Sequence, residues 1–145
     1  MIKCVLVLNT AGDKRLVLFY EELPQNERER IIALVYRECT RHKQCSFSQV
    51  SWNQHTLVHR LVQNLYFVFV IDEGENELAI LDLIQVFIEG VGQAVGGLTE
   101  TNLMLHSDKA YAFANELFMG GAVAETSLAE VATLSDLLAQ QERRS

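Results

Sequence analysis

Apolar and polar positions along this chain follow two different periods, and the change of period marks the elements. Residues 2–9 (Ile-Lys-Cys-Val-Leu-Val-Leu-Asn) and 15–20 are two apolar runs separated by Thr10-Ala11-Gly12-Asp13-Lys14. A short polar gap with a glycine between two such runs predicts a β-hairpin. Pro24 stands where a first helical turn tolerates it. From 25 to 41 the spacing becomes helical. Ile31, Leu34, Val35 and Glu38 alternate faces with Ile32, Tyr36 and Cys39, which predicts an amphipathic helix. Three strands are then predicted. They are 46–50, 54–60 after a turn at Ser51-Trp52-Asn53, and 65–71. The last reads Leu-Tyr-Phe-Val-Phe-Val-Ile without a polar break, the pattern of a central strand buried on both faces. A polar turn over 72–76 ends it.

Residues 77–95 are the most informative stretch. At about 100° per residue, Asp82, Gln85, Glu89 and Gln93 share one narrow polar stripe. The apolar residues sweep an arc of roughly 220°, about twice what a helix resting on one surface needs. The excess calls for cover from the rest of the chain or from a partner. Gly96-Gly97 stops this helix. Residues 101–105 form a short apolar piece, helical or extended. Ser107 or Asp108 is placed to cap a helix reaching Met119 and closed by Gly120-Gly121. Ser127-Leu128-Ala129-Glu130 fits a capping box, and residues 141–144 read as a frayed end. The order β-β-α-β-β-β-α, then short helices, predicts the α/β (α+β) class, with an antiparallel sheet and helices packed on it.

Composition narrows the class. At 145 residues the chain is read as a single domain, 1–145, able to bury roughly 68% of its unfolded surface. Apolar residues are 49% and charged residues 21%, which excludes a disordered tail and a coiled coil. No run of about 18 uncharged apolar residues points to a membrane span. Twelve basic against 19 acidic residues give a net charge of −7, which argues against nucleic acid as a partner. The first residues read as a strand rather than a signal peptide. With three cysteines, an odd number, this predicts a cytosolic chain with reduced thiols.

Catalytic chemistry finds little support. Cys39-x-x-His42-x-x-Cys45 offers zinc-compatible ligands, with His55 or His59 as conceivable additions, but lacks the second paired motif of a closed zinc site. There is no G-x-S-x-G elbow and no C-x-x-C. His106-Ser107-Asp108 is better explained by helix capping than as a triad. The glycines do not match a phosphate-binding loop. Residues 72–77 form an acidic turn, and Lys14-Arg15 is a basic pair in the first hairpin. No catalytic residue, metal or cofactor is expected, and the chain is read as a non-enzyme built to be partnered.

Several segments resemble one family. Residues 1–9 with Ala11-Gly12 and Arg15-Leu16, residues 65–72 followed by 77–89, and Met119-Gly120-Gly121-Ala122-Val123-Ala124-Glu125-Thr126 are similar to the small (sigma) subunits of adaptor protein complexes. Residues 81–87 and the Met-Gly-Gly segment most resemble the sigma chain of adaptor protein complex three. The likeness covers residues 1 to about 135. It implies a longin-like five-stranded antiparallel sheet flanked by helices, one on one face and the rest on the other. It also implies a heterotetramer with large adaptin subunits and a medium (mu) subunit, peripheral on Golgi and endosomal membranes and coated vesicles. Membrane contact is then made through the complex.

The resemblance also implies a cargo site for acidic dileucine signals, [DE]xxxL[LI]. Arg15 stands where such chains receive the acidic residue, and Gln63, Leu65, Ile88, Gly97, Leu98 and Leu103 stand at the leucine-pocket positions. Gln63 replaces a small residue, Gly97 removes a side chain, and 92–103 departs from the family pattern. The same likeness assigns Ile80, Leu83, Val86, Phe87 and Val91 to the interface with a large subunit. The alternatives are a sigma chain of another adaptor complex, a coatomer zeta-like subunit without a cargo site, and a longin regulatory domain. The last lacks a following coiled coil.

Overall fold

The computed structural model describes residues 2–42, 45–49, 52, 55–72 and 76–118. The expected capping box at 127–130, the glycine pair 120–121, the segment 119–126 and the end 141–144 lie outside the described residues. The chain divides into two compact units, Met1–Glu75 and Asn76–Ser145.

The first unit holds β1 (Ile2–Asn9), β2 (Lys14–Phe19), α1 (Gln25–Arg41), β3 (Cys45–Gln49), β4 (Thr56–Val62) and β5 (Leu65–Ile71). Its strands pair antiparallel in the order β2-β1-β5-β4-β3. β3 is defined by its backbone pairing, from Cys45 opposite Arg60 to Gln49 opposite Thr56. β5 lies between β1 and β4, and all seven of its residues are buried, as its unbroken apolar run predicts.

One face of the sheet, carrying Cys4, Leu6, Leu8, Leu57, Tyr66, Val68 and Val70, packs in a single core with Ile31, Ile32, Val35 and Cys39 of α1 and with Trp52. Val5, Val7, Val58, Phe67, Phe69 and Ile71, of opposite parity along the strands, are buried as well. α1 begins after Pro24, whose carbonyl accepts from the amides of Glu27 and Arg28.

β4 runs over 56–62 rather than the expected 54–60. The cause is the turn Gln63-Asn64, with φ of 53° and 62°. Two left-handed residues make a tight hairpin whose twist matches the strands, so β4 pairs with β5 up to Val62 opposite Leu65. The sequence shows no glycine there to announce it.

The second unit holds α2 (Glu77–Val95), α3 (Glu100–Leu105) and α4 (Ser107–Leu117). The Asn76 side chain caps α2 by accepting from the amides of Leu78 and Ala79. α4 follows α3 through His106, which is the C-cap of one and the N-cap of the other. The expected capping residues Ser107 and Asp108 lie instead in the first turn of α4. The window Leu78–Val95, with mean hydropathy 1.6, is long and apolar enough to cross a bilayer by length and composition. Half of it is buried in the protein, as in the core helix of a globular unit.

The expected interface residues of α2 lie within its apolar arc. Ile80, Leu83, Val86, Phe87 and Val91 are all buried, none more than 6% exposed. Gly90 explains part of this. A Cβ built there would stand 1.9 Å from Phe113 of α4, so α4 seats its ring where α2 has no side chain. Phe87 stacks on Phe113 and packs against Phe118, with centroids 6.4 and 5.5 Å apart. The helical period shows how wide the apolar arc is, but not which element covers it.

Candidate functional site

The C-terminal end of α2 carries a cavity of about 500 Å³ lined by Ile88, Glu89, Gly92, Gln93, Gly96, Gly97 and Leu98. Glycine makes it. Gly96 and Gly97 have φ of 82° and 129°, a region that side chains rarely adopt. The Gly97 amide donates to the Gly92 carbonyl at 2.8 Å and the Gly96 amide to the Gln93 carbonyl at 3.3 Å. That paired pattern is a Schellman cap, which turns the chain sharply off the helix. Leu98 then returns against the last turn. A Cβ at Gly92 would lie 3.3 Å from the Leu98 Cβ, so the missing side chain permits the approach. The Gly97 carbonyl accepts from the Asn102 side-chain amide at 2.9 Å and from the Thr99 amide at 3.0 Å, and the Thr99 hydroxyl caps α3. These bonds hold the lip of the cavity in place.

Its walls are mixed. Ile88 and Leu98 are apolar. Glu89 is half-buried, and its carboxylate accepts from the Gln85 amide at 3.0 Å. The seven lining residues include no basic side chain, and the last turn of α2 has none. The partial negative charge of the helix C-terminus adds to that of Glu89. Such a site can bury one or two aliphatic side chains, each worth about 1.5–3 kcal/mol if fully covered.

Of the seven expected cargo-site residues, Ile88, Gly97 and Leu98 line this cavity. Leu103, in α3 of the same unit, is fully buried and does not line it. Glu89, Gly92, Gln93 and Gly96 complete its lining. Glu89 and Gln93 belong to the narrow polar stripe of α2 and Gly96 to its stop, and periodicity does not show that a capping turn folds back on its helix.

The other three lie in the first unit. Asn9 organises the first hairpin, its side-chain carbonyl accepting from the amides of Ala11 and Asp13 at 3.0 and 2.8 Å. Gly12, at φ 92°, sits over the ring of Tyr36, whose hydroxyl donates to the Thr10 carbonyl at 2.7 Å. The β1–β2 register slips by one residue, from Val7 opposite Leu16 to Leu8 opposite Lys14. Arg15 is therefore the extra residue of a β-bulge on an edge strand, a feature that re-aims a side chain. Its guanidinium donates to the Lys14 carbonyl at 3.2 Å and lies 3.9 Å from the Asp13 carboxylate. The basic pair is divided in its roles: Lys14 bonds Glu29 at 2.7 Å, which holds that carboxyl below its ordinary range.

Gln63 is exposed in the β4–β5 turn, and Leu65 beside it is fully buried. Asn9 stands opposite Leu65 in the β1–β5 register, so Arg15 and Gln63 belong to hairpins at one end of the sheet.

The cysteine-histidine spacing is described only in part. Cys39 is buried, and desolvation pushes its thiol up to about 12, while His42 is exposed. The side chain of Cys45 lies outside the described residues. Among the described residues no group of three or more His, Cys, Asp or Glu is arranged to hold a metal. At the far end of the sheet Lys3 pairs with Glu21 at 3.1 Å and Asp72 at 3.6 Å, and His55 lies 3.8 Å from Asp72. Burial holds the His55 imidazole below its ordinary pKa.

Comparison with known proteins agrees along nearly the whole chain. Residues 1–142 match the clathrin adaptor complex small chain family. Human AP-3 complex subunit sigma-2 is 36% identical over 137 residues, 90% of this chain and 71% of that protein. The AP-4 complex subunit sigma of Arabidopsis thaliana is 34% identical over 132 residues, 90% of this chain and 91% of that protein. Among structures, a homology model of the full-length AP-3 complex in a stretched open conformation matches with a TM-score of 0.62 at 25% identity. That match covers 99% of this chain and 97% of the other.

Proposed function

Because the chain belongs to the clathrin adaptor complex small chain family, we propose that it is the sigma subunit of an AP-3-type adaptor complex in vesicle-mediated protein transport. In this reading it stabilises a heterotetramer of two large adaptins, a medium subunit and itself, and helps bind acidic dileucine sorting signals. The complex works from the cytoplasm on Golgi and endosomal membranes and coated vesicles, and membrane contact is made through the assembly. The sheet order β2-β1-β5-β4-β3 with α1 on one face supports a longin-like fold for the first unit.

The observation that carries the cargo reading is the cavity at the end of α2. Three residues expected to receive leucines on sequence grounds line one open, partly apolar hollow. Its work is recognition: two leucine side chains leave water, and no covalent bond changes. Arg15, re-aimed by its bulge, receives the acidic residue of the signal as a solvent-screened ion pair. Gln63 sits at the neighbouring hairpin tip and tunes that approach. Subunit contact falls on side chains other than the buried arc. Among the described residues Leu78, Met104 and Leu105 are the large apolar residues left exposed, at 73%, 58% and 70%.

Affinity capture of the tagged full chain, followed by mass spectrometry, tests the assignment. Large and medium adaptins of the AP-3 type are expected in amounts comparable to the bait; their absence overturns it. The 34% identity to an AP-4 sigma chain supports a second reading in which the partners are AP-4 subunits, and the large subunits recovered decide between the two.

A further inference from the structure

We infer that the cavity at the end of α2, taken as the leucine site proposed above, favours a lysine or arginine directly beside the leucine pair and disfavours an acidic residue there, with Glu89 as the specificity-determining residue. The apolar walls, Ile88 and Leu98, accept aliphatic side chains of any leucine-type signal and do not discriminate between flanking residues. The charge around them does. Glu89 lines the cavity, and its carboxylate accepts from Gln85. Gln93 adds only an amide. The last turn of α2 carries no basic residue to offset the carbonyl end of the helix.

A carboxylate brought beside the leucines meets negative charge from both sources, whereas an ammonium or guanidinium meets attraction. This does not conflict with an acidic residue earlier in the signal. Four residues of extended peptide span about 13 Å, beyond the roughly 8–10 Å screening length of physiological salt.

The test uses the assembled complex and three fluorescent peptides, identical except for Lys, Ala or Glu next to the leucine pair, with affinity read by anisotropy. The Lys peptide is expected to bind about two- to fivefold more tightly than the Glu peptide, the range of a solvent-exposed ion pair. That ratio is expected to shrink with added salt, to collapse towards one in Glu89→Gln, and to persist in Glu89→Asp. Peptides that bind equally well, or a ratio untouched by Glu89→Gln, overturn the inference while leaving the leucine site standing. If no leucine-pair peptide binds whatever its flank, the leucine site and the inference fall together. Should Glu89→Gln fail to assemble, the ratio of the unaltered complex and its salt dependence decide alone.

Discussion

The sheet of the first unit and the end of α2 in the second use the same apolar residues to opposite ends. In β5 every side chain from Leu65 to Ile71 is buried, between paired strands on both sides. At the end of α2, Ile88 and Leu98 stand beside glycines whose missing side chains leave a hollow of about 500 Å³. The first region gains stability from filling space, and close packing there penalises any lost methylene group. The second holds space open through backbone: a Schellman cap and two left-handed glycines. Substitutions should therefore separate the two, with stability responding in the sheet and ligand binding responding at the cavity.

The largest effect is expected at Phe69. Phe69→Ala should cost about 3–5 kcal/mol of folding stability, read by chemical denaturation, because the fully buried ring leaves a void. A loss below about 1 kcal/mol would break the contrast. Gly90→Ala comes next. It adds a methyl group where Phe113 sits, and the expected cost is about 1–3 kcal/mol, reduced by up to about 1 kcal/mol from better helix propensity. Shortening the ring by Phe113→Leu in the same molecule should recover part of the loss, a coupling that a double-mutant cycle measures.

At the cavity the order inverts. Leu98→Ala should change stability by only about 1 kcal/mol, since the residue is half-exposed, yet weaken a dileucine peptide about tenfold in the assembled complex. Arg15→Glu should weaken the same peptide about fivefold and leave assembly intact, an effect that fades as salt is raised. Unchanged affinity would remove Arg15 from the site.

The smallest effect concerns pH. Burial lowers the His55 pKa in the folded chain from its ordinary 6.5, so the unfolded chain binds the proton more readily. The stability associated with neutral His55 is complete above about pH 6.5 and is lost as pH falls towards the folded pKa. Melting temperatures at pH 7.5 and 5.5 should therefore differ less in His55→Asn than in the unaltered chain.

Much of the fold was legible because long runs of one period leave little choice. The expected bounds 2–9, 25–41, 65–71 and 77–95 coincide with β1, α1, β5 and α2. β4 was displaced by two residues because Gln63-Asn64 adopt left-handed backbone without a glycine to signal it. The bulge at Arg15 was invisible for a related reason, since register depends on the partner strand and not on the strand's own pattern. The site was legible through resemblance more than through chemistry. Ile88, Gly97 and Leu98 stand at expected pocket positions, whereas Glu89 reads only as a member of the polar stripe.

Local sequence alone determined where β1, α1, β5 and α2 lie and where α2 stops, because side-chain period and the Gly96-Gly97 pair act within a few residues. It also determined that α2 has more apolar surface than one contact needs. Tertiary structure decided what meets part of that surface, placing Phe113 of α4 over Gly90. It decided too that Leu98 folds back to make a cavity with Ile88 and Glu89 on its wall. Both outcomes depend on residues brought together from separate elements, and burial is a property of such neighbours rather than of the residue itself.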